Sequence, residues 1–221
     1  RYRDYLQAST PEAALAAADK FRILCALKAG PHGVAELNRL VEEVLSLQFE
    51  ADREQKRQRF GAPILPAHRG QHYDHRLIMI TQNQYSQDLF NGDIGVILQP
   101  PVALDAATDT DKAAAPRLLA YFPARQAGAP CRSFPPERLP AHDTAFAMTV
   151  HKSQGSEFSD VLLVLPNQDS PVVSKELIYT GITRARHRVE IWLNPTLFAL
   201  AAQRRTERYS GLADQLSQPV E

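Results

Sequence analysis

Apolar and polar positions along this chain change period several times, and each change predicts an element. Thr10-Pro11-Glu12 followed by an alanine-rich run predicts a capped helix ending near Asp19, with proline in its first turn. Phe21 to Leu27 is a short apolar run closed off by Gly30-Pro31, the pattern of a buried strand. From Val34, the residues Leu37, Val41, Val44 and Leu45 share one helical face while Glu36, Glu42 and Glu43 point away. Strand, turn and amphipathic helix make one α/β unit. Between Ala51 and Arg76 the pattern dissolves into charges, prolines and histidines and predicts a mobile polar loop.

Strand character resumes at Leu77 to Thr81, and Asn91-Gly92-Asp93 is a tight-turn signal ahead of a further strand, Ile94 to Leu98. Leu118 to Phe122 is another, set among loops rich in Pro, Ala, Asp and Thr, so 91–140 reads as a small inserted β subdomain. Thr144 to Val150 and Asp160 to Leu165 then predict strands, Lys175 to Arg186 a helix, Val189 to Leu193 a strand, and Pro195 to Arg205 a helix. Helices alternating with near-continuous apolar strands predict an α/β fold, a mostly parallel sheet with helices on both faces, formed by 1–90 and 141–221.

Composition narrows the class without fixing it. A chain of 221 residues with 44% hydrophobic content can fill one large core. Lys plus Arg and Asp plus Glu are 25 each, so net charge alone argues mildly against a polyanion partner. Local enrichment in Arg, Lys and His over Arg53–Arg76 and Arg184–Arg208 softens that argument. Two cysteines, Cys25 and Cys131, are too few for a disulfide framework and suit a reducing compartment. With no apolar run of membrane length and no signal-peptide core in RYRDYLQAST, a cytoplasmic location is expected. His68, His72 and His75 have a spacing that could hold a metal, but without cysteine or a defined helix no metal site is assigned.

Candidate chemistry concentrates in AFAMTVHKSQGSEF (145–158) and IYTGITRAR (178–186). Thr149, His151, Lys152 and Ser153 crowd donors onto one turn directly after a strand, where phosphate oxygens could be met at the carboxyl edge of a sheet. Gly155 allows close backbone approach, and Glu157 offers a carboxylate suited to sugar hydroxyls. Arg184 carries a planar, permanently charged fork suited to a transferring γ-phosphoryl group. Taken singly, each segment reads equally well as a solvated loop or an exposed basic face. Together, in this order and flanked by these strands, they favour a site.

TVHKSQGSEF and YTGITRAR resemble motifs V and VI of superfamily 1 helicases, most closely the RecD family, the alpha subunits of exodeoxyribonuclease V. The likeness extends through FRILCALKAGPHGVAELN, LIMITQNQYSQDLFNGDIG and RTERYSGLADQL, from about Phe21 onward. It implies a second RecA-like motor domain (2A) carrying an SH3-like insertion (2B), with Asn38 in the motif IV unit near the site. It also implies that Arg184, Gly155 and Glu157 serve ATP, and that Thr149, His151, Lys152 and Ser153 serve single-stranded DNA. The implied activity is ATP-dependent 5′-to-3′ unwinding in double-strand-break repair, with RecB and RecC as partner subunits or, alternatively, as a stand-alone helicase. No G-x-x-x-x-G-K-[ST] occurs, since Lys152-Ser153 lacks the glycines and Lys28 precedes Ala29; no strand ends in an acidic pair for Mg²⁺. ATP and Mg²⁺ are therefore expected mainly on an N-terminal motor domain of a longer protein, and this chain alone is not expected to hydrolyse ATP. The competing reading is a degenerate, non-catalytic RecA-like module that binds nucleic acid or protein.

Overall fold

The computed structural model describes residues 2–60, 72–100, 118–126 and 128–204. After a single turn, α1 (Arg3–Leu6), comes α2 (Pro11–Ala18), whose Thr10 hydroxyl caps the Ala13 amide. Next are β1 (Phe21–Cys25) and α3 (Val34–Phe60). The helix runs through the first part of the stretch read from sequence as loop. DREQKRQR contains only moderate-to-good helix formers, and no glycine or proline intervenes before Gly61. His68 of the histidine cluster lies outside the described residues.

Five short strands follow: β2 (Arg76–Ile80), β3 (Ile94–Leu98), β4 (Leu119–Phe122), β5 (Arg132–Phe134) and β6 (His142–Thr144). They pair antiparallel in the order β5-β4-β3-β2-β6, around Ile78, Ile80, Leu89, Ile97, Ala120 and Phe122. The antiparallel pairing thus begins at Arg76 and ends at Thr144, wider than 91–140, and takes in the strand at 77–81 that the sequence assigned to the parallel part. Among the described residues these strands form an open sheet with β5 and β6 at its two edges.

The chain then crosses into a second sheet. Thr144 to Val150, read from sequence as one strand, is two: β6 ends at Thr144 and β7 (Ala147–Thr149) joins a different sheet. Ala145 and Phe146, both fully buried, form the joint. The remaining elements are β8 (Phe158–Val164), α4 (Lys175–Ile182), β9 (Ala185–Trp192) and α5 (Pro195–Gln203). β7, β1, β8 and β9 form an all-parallel sheet in that order, the mixed α/β architecture expected.

Alternation along β1 separates the two faces. Phe21, Ile23 and Cys25 pack with Leu37 of α3, while Leu24 belongs to the larger cluster with Leu15 of α2, Leu177 and Ile178 of α4 and Ala201 of α5. Helices therefore cover both faces, as a parallel sheet requires. Burial also takes in polar groups that no apolar pattern signals. Arg22 is fully buried on β1; its guanidinium donates to the carbonyls of Ala145 and Ala18 and lies 4.9 Å from the centre of the Phe158 ring. Desolvation lowers its pKa, opposed by Tyr2, Asp19 and Tyr5. Among the described residues no helix is long and apolar enough to cross a membrane.

Candidate nucleotide and nucleic-acid site

The segment after β7 leaves one margin of the parallel sheet and arrives at the other. Thr149 ends β7, the first strand in the order; Glu157 immediately precedes β8, and Arg184 immediately precedes the outermost strand, β9. The candidate residues therefore fall into two groups, and only the one after β7 lies at the carboxyl end of its strand, where the sequence reading put Thr149, His151, Lys152 and Ser153.

In the first group, Val150 continues the ladder by donating to Cys25, and the chain turns sharply as the Ser153 amide bonds back to Thr149. The Thr149 side chain is buried, and its hydroxyl accepts from the Lys152 amide at 3.2 Å. Ser153 is buried as well, and its hydroxyl donates to the Val150 carbonyl at 2.8 Å. Its side chain is committed to the turn rather than presented for a ligand, unlike the grouping suggested by sequence. His151 and Lys152 are exposed, and the Lys152 ammonium reaches Asp143 on β6 at 3.2 Å.

Beside these residues lies a cleft of about 500 Å³, lined by Lys28, Asn38, Arg39, Arg76, Thr149 and Lys152 among others. Its walls come from both sheets, with α3 as the shared element. Asn38 stitches them together: Nδ2 donates to the carbonyls of Thr144 and Ala147, and Oδ1 accepts from the Ala147 amide at 2.8 Å. One turn further along the helix, Glu42 accepts from Tyr73 at 2.7 Å and from Thr144 at 2.9 Å, and Arg76 in turn donates to the Thr144 hydroxyl. Burial raises the Tyr73 pKa strongly, and the Glu42 carboxylate adds to it. This network was not visible from sequence, because its members come from three stretches far apart in the chain, 38–42, 73–76 and 144–147.

In the second group, Gly155 turns with φ +85° in open space, a left-handed conformation that glycine adopts without penalty. Arg184 is not on a helix, as the pattern of 175–186 suggested. α4 ends at Ile182, and Arg184 occupies the turn into β9, where its Nε donates to the Thr180 carbonyl at 3.2 Å and Nη1 to the Ser156 carbonyl at 3.2 Å. The Arg184 carbonyl accepts from the Phe158 amide at 2.8 Å, so backbone and side chain together clasp the end of the 150–157 segment. Glu157 and Arg186 are both exposed and paired at 3.1 Å. Gly155, Glu157 and Arg184 thus lie within one short stretch of surface, and a phosphorylated sugar fits their chemistry: a half-exposed guanidinium, a carboxylate with one oxygen outside the ion pair, and an unobstructed backbone turn. Among the described residues no group of three or more His, Cys, Asp or Glu could hold a metal ion. His72 and His142 stack at 5.6 Å, and His75 lies next to Asp74.

A family profile described as the UvrD-like helicase C-terminal domain matches residues 144–191, the segment that holds both groups. RecBCD enzyme subunit RecD of Mycolicibacterium smegmatis is 34% identical over 203 residues, covering 92% of this chain and 30% of the relative. The chain belongs to the RecD-like helicases. It spans about a third of the length of the curated relatives it matches. ATP-dependent RecD2 DNA helicase of Deinococcus radiodurans is 31% identical over 130 residues, covering 59% of this chain and 16% of that protein. Among solved structures, a Pif1 helicase from Bacteroides in complex with ADP-AlF3 and ssDNA overlaps 90% of this chain and 45% of its own, at 12% identity and a TM-score of 0.39.

Proposed function

We propose that this chain is the second motor domain of an ATP-dependent RecD-like DNA helicase, with its parallel sheet as the RecA-like domain 2A and its antiparallel sheet as the SH3-like insertion 2B. ATP and Mg²⁺ are held mainly by an N-terminal motor domain of the same protein. The observation that carries this reading is the gathering of Gly155, Glu157 and Arg184 at one margin of the sheet, with Thr149, His151 and Lys152 at the other, joined by a single eight-residue segment, 150–157. Arg184 donates to the γ-phosphate as charge builds on it; Gly155 and Glu157 border the ribose side. His151 and Lys152, with the buried Thr149 setting their turn, hold the single-stranded DNA backbone along the cleft. Because one segment touches both ligands, closure on the nucleotide is transmitted to the DNA grip. The direction of travel is 5′ to 3′, and the setting is repair of double-strand ends, with RecB and RecC as partners.

The test is ATP hydrolysis by the full-length protein with and without oligo-dT. Stimulation by DNA is the expected result, and no turnover in either condition would leave a non-catalytic binding module as the better reading. Lys152→Ala should weaken binding of single-stranded oligonucleotides about equally whatever their sequence and reduce the slope of log K against log salt by roughly 0.7, the value for one phosphate contact on a single strand. An unchanged slope would remove Lys152 from the DNA path.

A further inference from the structure

Arg186 lies outside every role assigned above, and its placement depends on an irregularity in the sheet. β8 and β9 pair in parallel with Phe158 opposite Ala185 and Asp160 opposite Arg188, so two steps along β8 face three along β9. This bulge falls at residues 186–187, and bulges of this kind re-aim side chains, often next to functional sites. Here the Arg186 Nε meets Glu157 Oε2 at 3.1 Å. Asp19 is also within electrostatic reach of Arg186, yet the hydrogen bond is made to Glu157.

Building on the nucleotide reading of this margin, we propose that Arg186 is a positioning residue: by engaging one oxygen of Glu157 it holds the carboxylate with its other oxygen free to accept from a ribose hydroxyl. A lone, exposed glutamate two residues after a left-handed glycine samples several rotamers and must be ordered when the sugar binds; the ion pair offsets part of that cost beforehand. Arg184 faces elsewhere, with its guanidinium on the Thr180 and Ser156 carbonyls, so the two arginines divide the work. One faces the phosphate and the other orients the sugar acceptor. Arg186 and Glu157 are 62% and 55% exposed as side chains, so the pair is solvent-screened and its effect should be modest and confined to nucleotide affinity.

The experiment measures kcat and KM of the full-length protein for ATP, 2′-deoxy-ATP and 3′-deoxy-ATP at saturating oligo-dT. Arg186→Ala should raise KM for ATP by about fivefold, the upper range for an exposed pair, with kcat within about twofold of wild type. It should also shrink the preference for ATP over whichever deoxy analogue wild type discriminates against. Arg186→Lys, which keeps a donor and a charge, should recover part of both. An unchanged KM and unchanged sugar preference would overturn the proposal, as would a fall in kcat of the size expected for Arg184→Ala, which would make Arg186 catalytic instead. A wild-type protein without DNA-stimulated turnover would fail earlier, at the helicase reading on which this rests, and is distinguished by needing no variant.

Discussion

Arg184→Ala in the full-length protein should lower DNA-stimulated ATP turnover by about 10³-fold or more, the range for an arginine supplied to a transferring phosphoryl group. The side chain sits in the turn between α4 and β9, held by the Thr180 and Ser156 carbonyls, so its guanidinium is oriented before any nucleotide arrives. Preorganised charge of this kind costs no reorganisation at the moment of reaction. Because the Arg184 contacts are made at the margin opposite the β7 cleft, affinity for oligo-dT in the absence of nucleotide should change by less than about twofold. Single-turnover hydrolysis and fluorescence anisotropy separate the two quantities. Loss of DNA affinity parallel to loss of turnover would show that the arginine supports the fold of the 150–157 segment rather than the chemistry. Arg184→Lys is the informative companion: a lysine keeps the charge but cannot serve two carbonyls in one plane, so most of the loss should persist.

The second large effect is on stability. Asn38→Ala should cost about 3–5 kcal/mol, because the Ala147 amide and carbonyl and the Thr144 carbonyl each lose a partner. For a domain of this size that corresponds to a fall in Tm of roughly 6–20 °C. Differential scanning calorimetry of the full-length protein, following the transition that contains this domain, reads the effect. Asn38→Asp keeps the acceptor for the Ala147 amide but sets a carboxylate against two carbonyls, so it should be no better tolerated than alanine. A shift under about 2 °C for both would mean that water replaces the amide and that the clip is not what joins α3 to β7. The motif IV resemblance put Asn38 near the site; it lines the cleft, and its amide is committed to joining α3 to the Thr144 and Ala147 backbone.

Most secondary structure was legible because its causes are local. The Thr10 cap, the proline at the start of α2 and of α5, the 3.6-residue period of α3 and the apolar runs of β1 and β8 need no partner to be recognised. The turn after β7 was legible for a similar reason: a run of Thr149, His151, Lys152 and Ser153 followed by Gly155 signals a break in the strand from residue type alone. The misreadings occurred where two local readings are equally good. Residues 144–150 have unbroken strand character, and nothing in their order says that the chain changes sheet at Ala145-Phe146. The end of α4 was hidden because Ala185 and Arg186 suit a helix as well as a strand; pairing with Phe158 across the sheet decided it.

What the sequence determined by itself, then, is the mixed α/β class and, through its motif strings, the family, since these depend on periodicity and on residue order within short windows; the site residues it offered are candidates chosen by the chemistry that each side chain carries wherever it lies. Only the tertiary structure decided how those residues are distributed. It assigned Ser153 to the turn and Asn38 to the joint, buried Arg22 beneath Phe158, and set Lys152 and Arg184 at opposite margins of one sheet. Strand order and crossover are set by which apolar faces can be buried together, a property of the whole chain that no single window contains. That order also makes residues 150–157 the covalent link between the two groups, because the path from β7 to β8 has to pass β1.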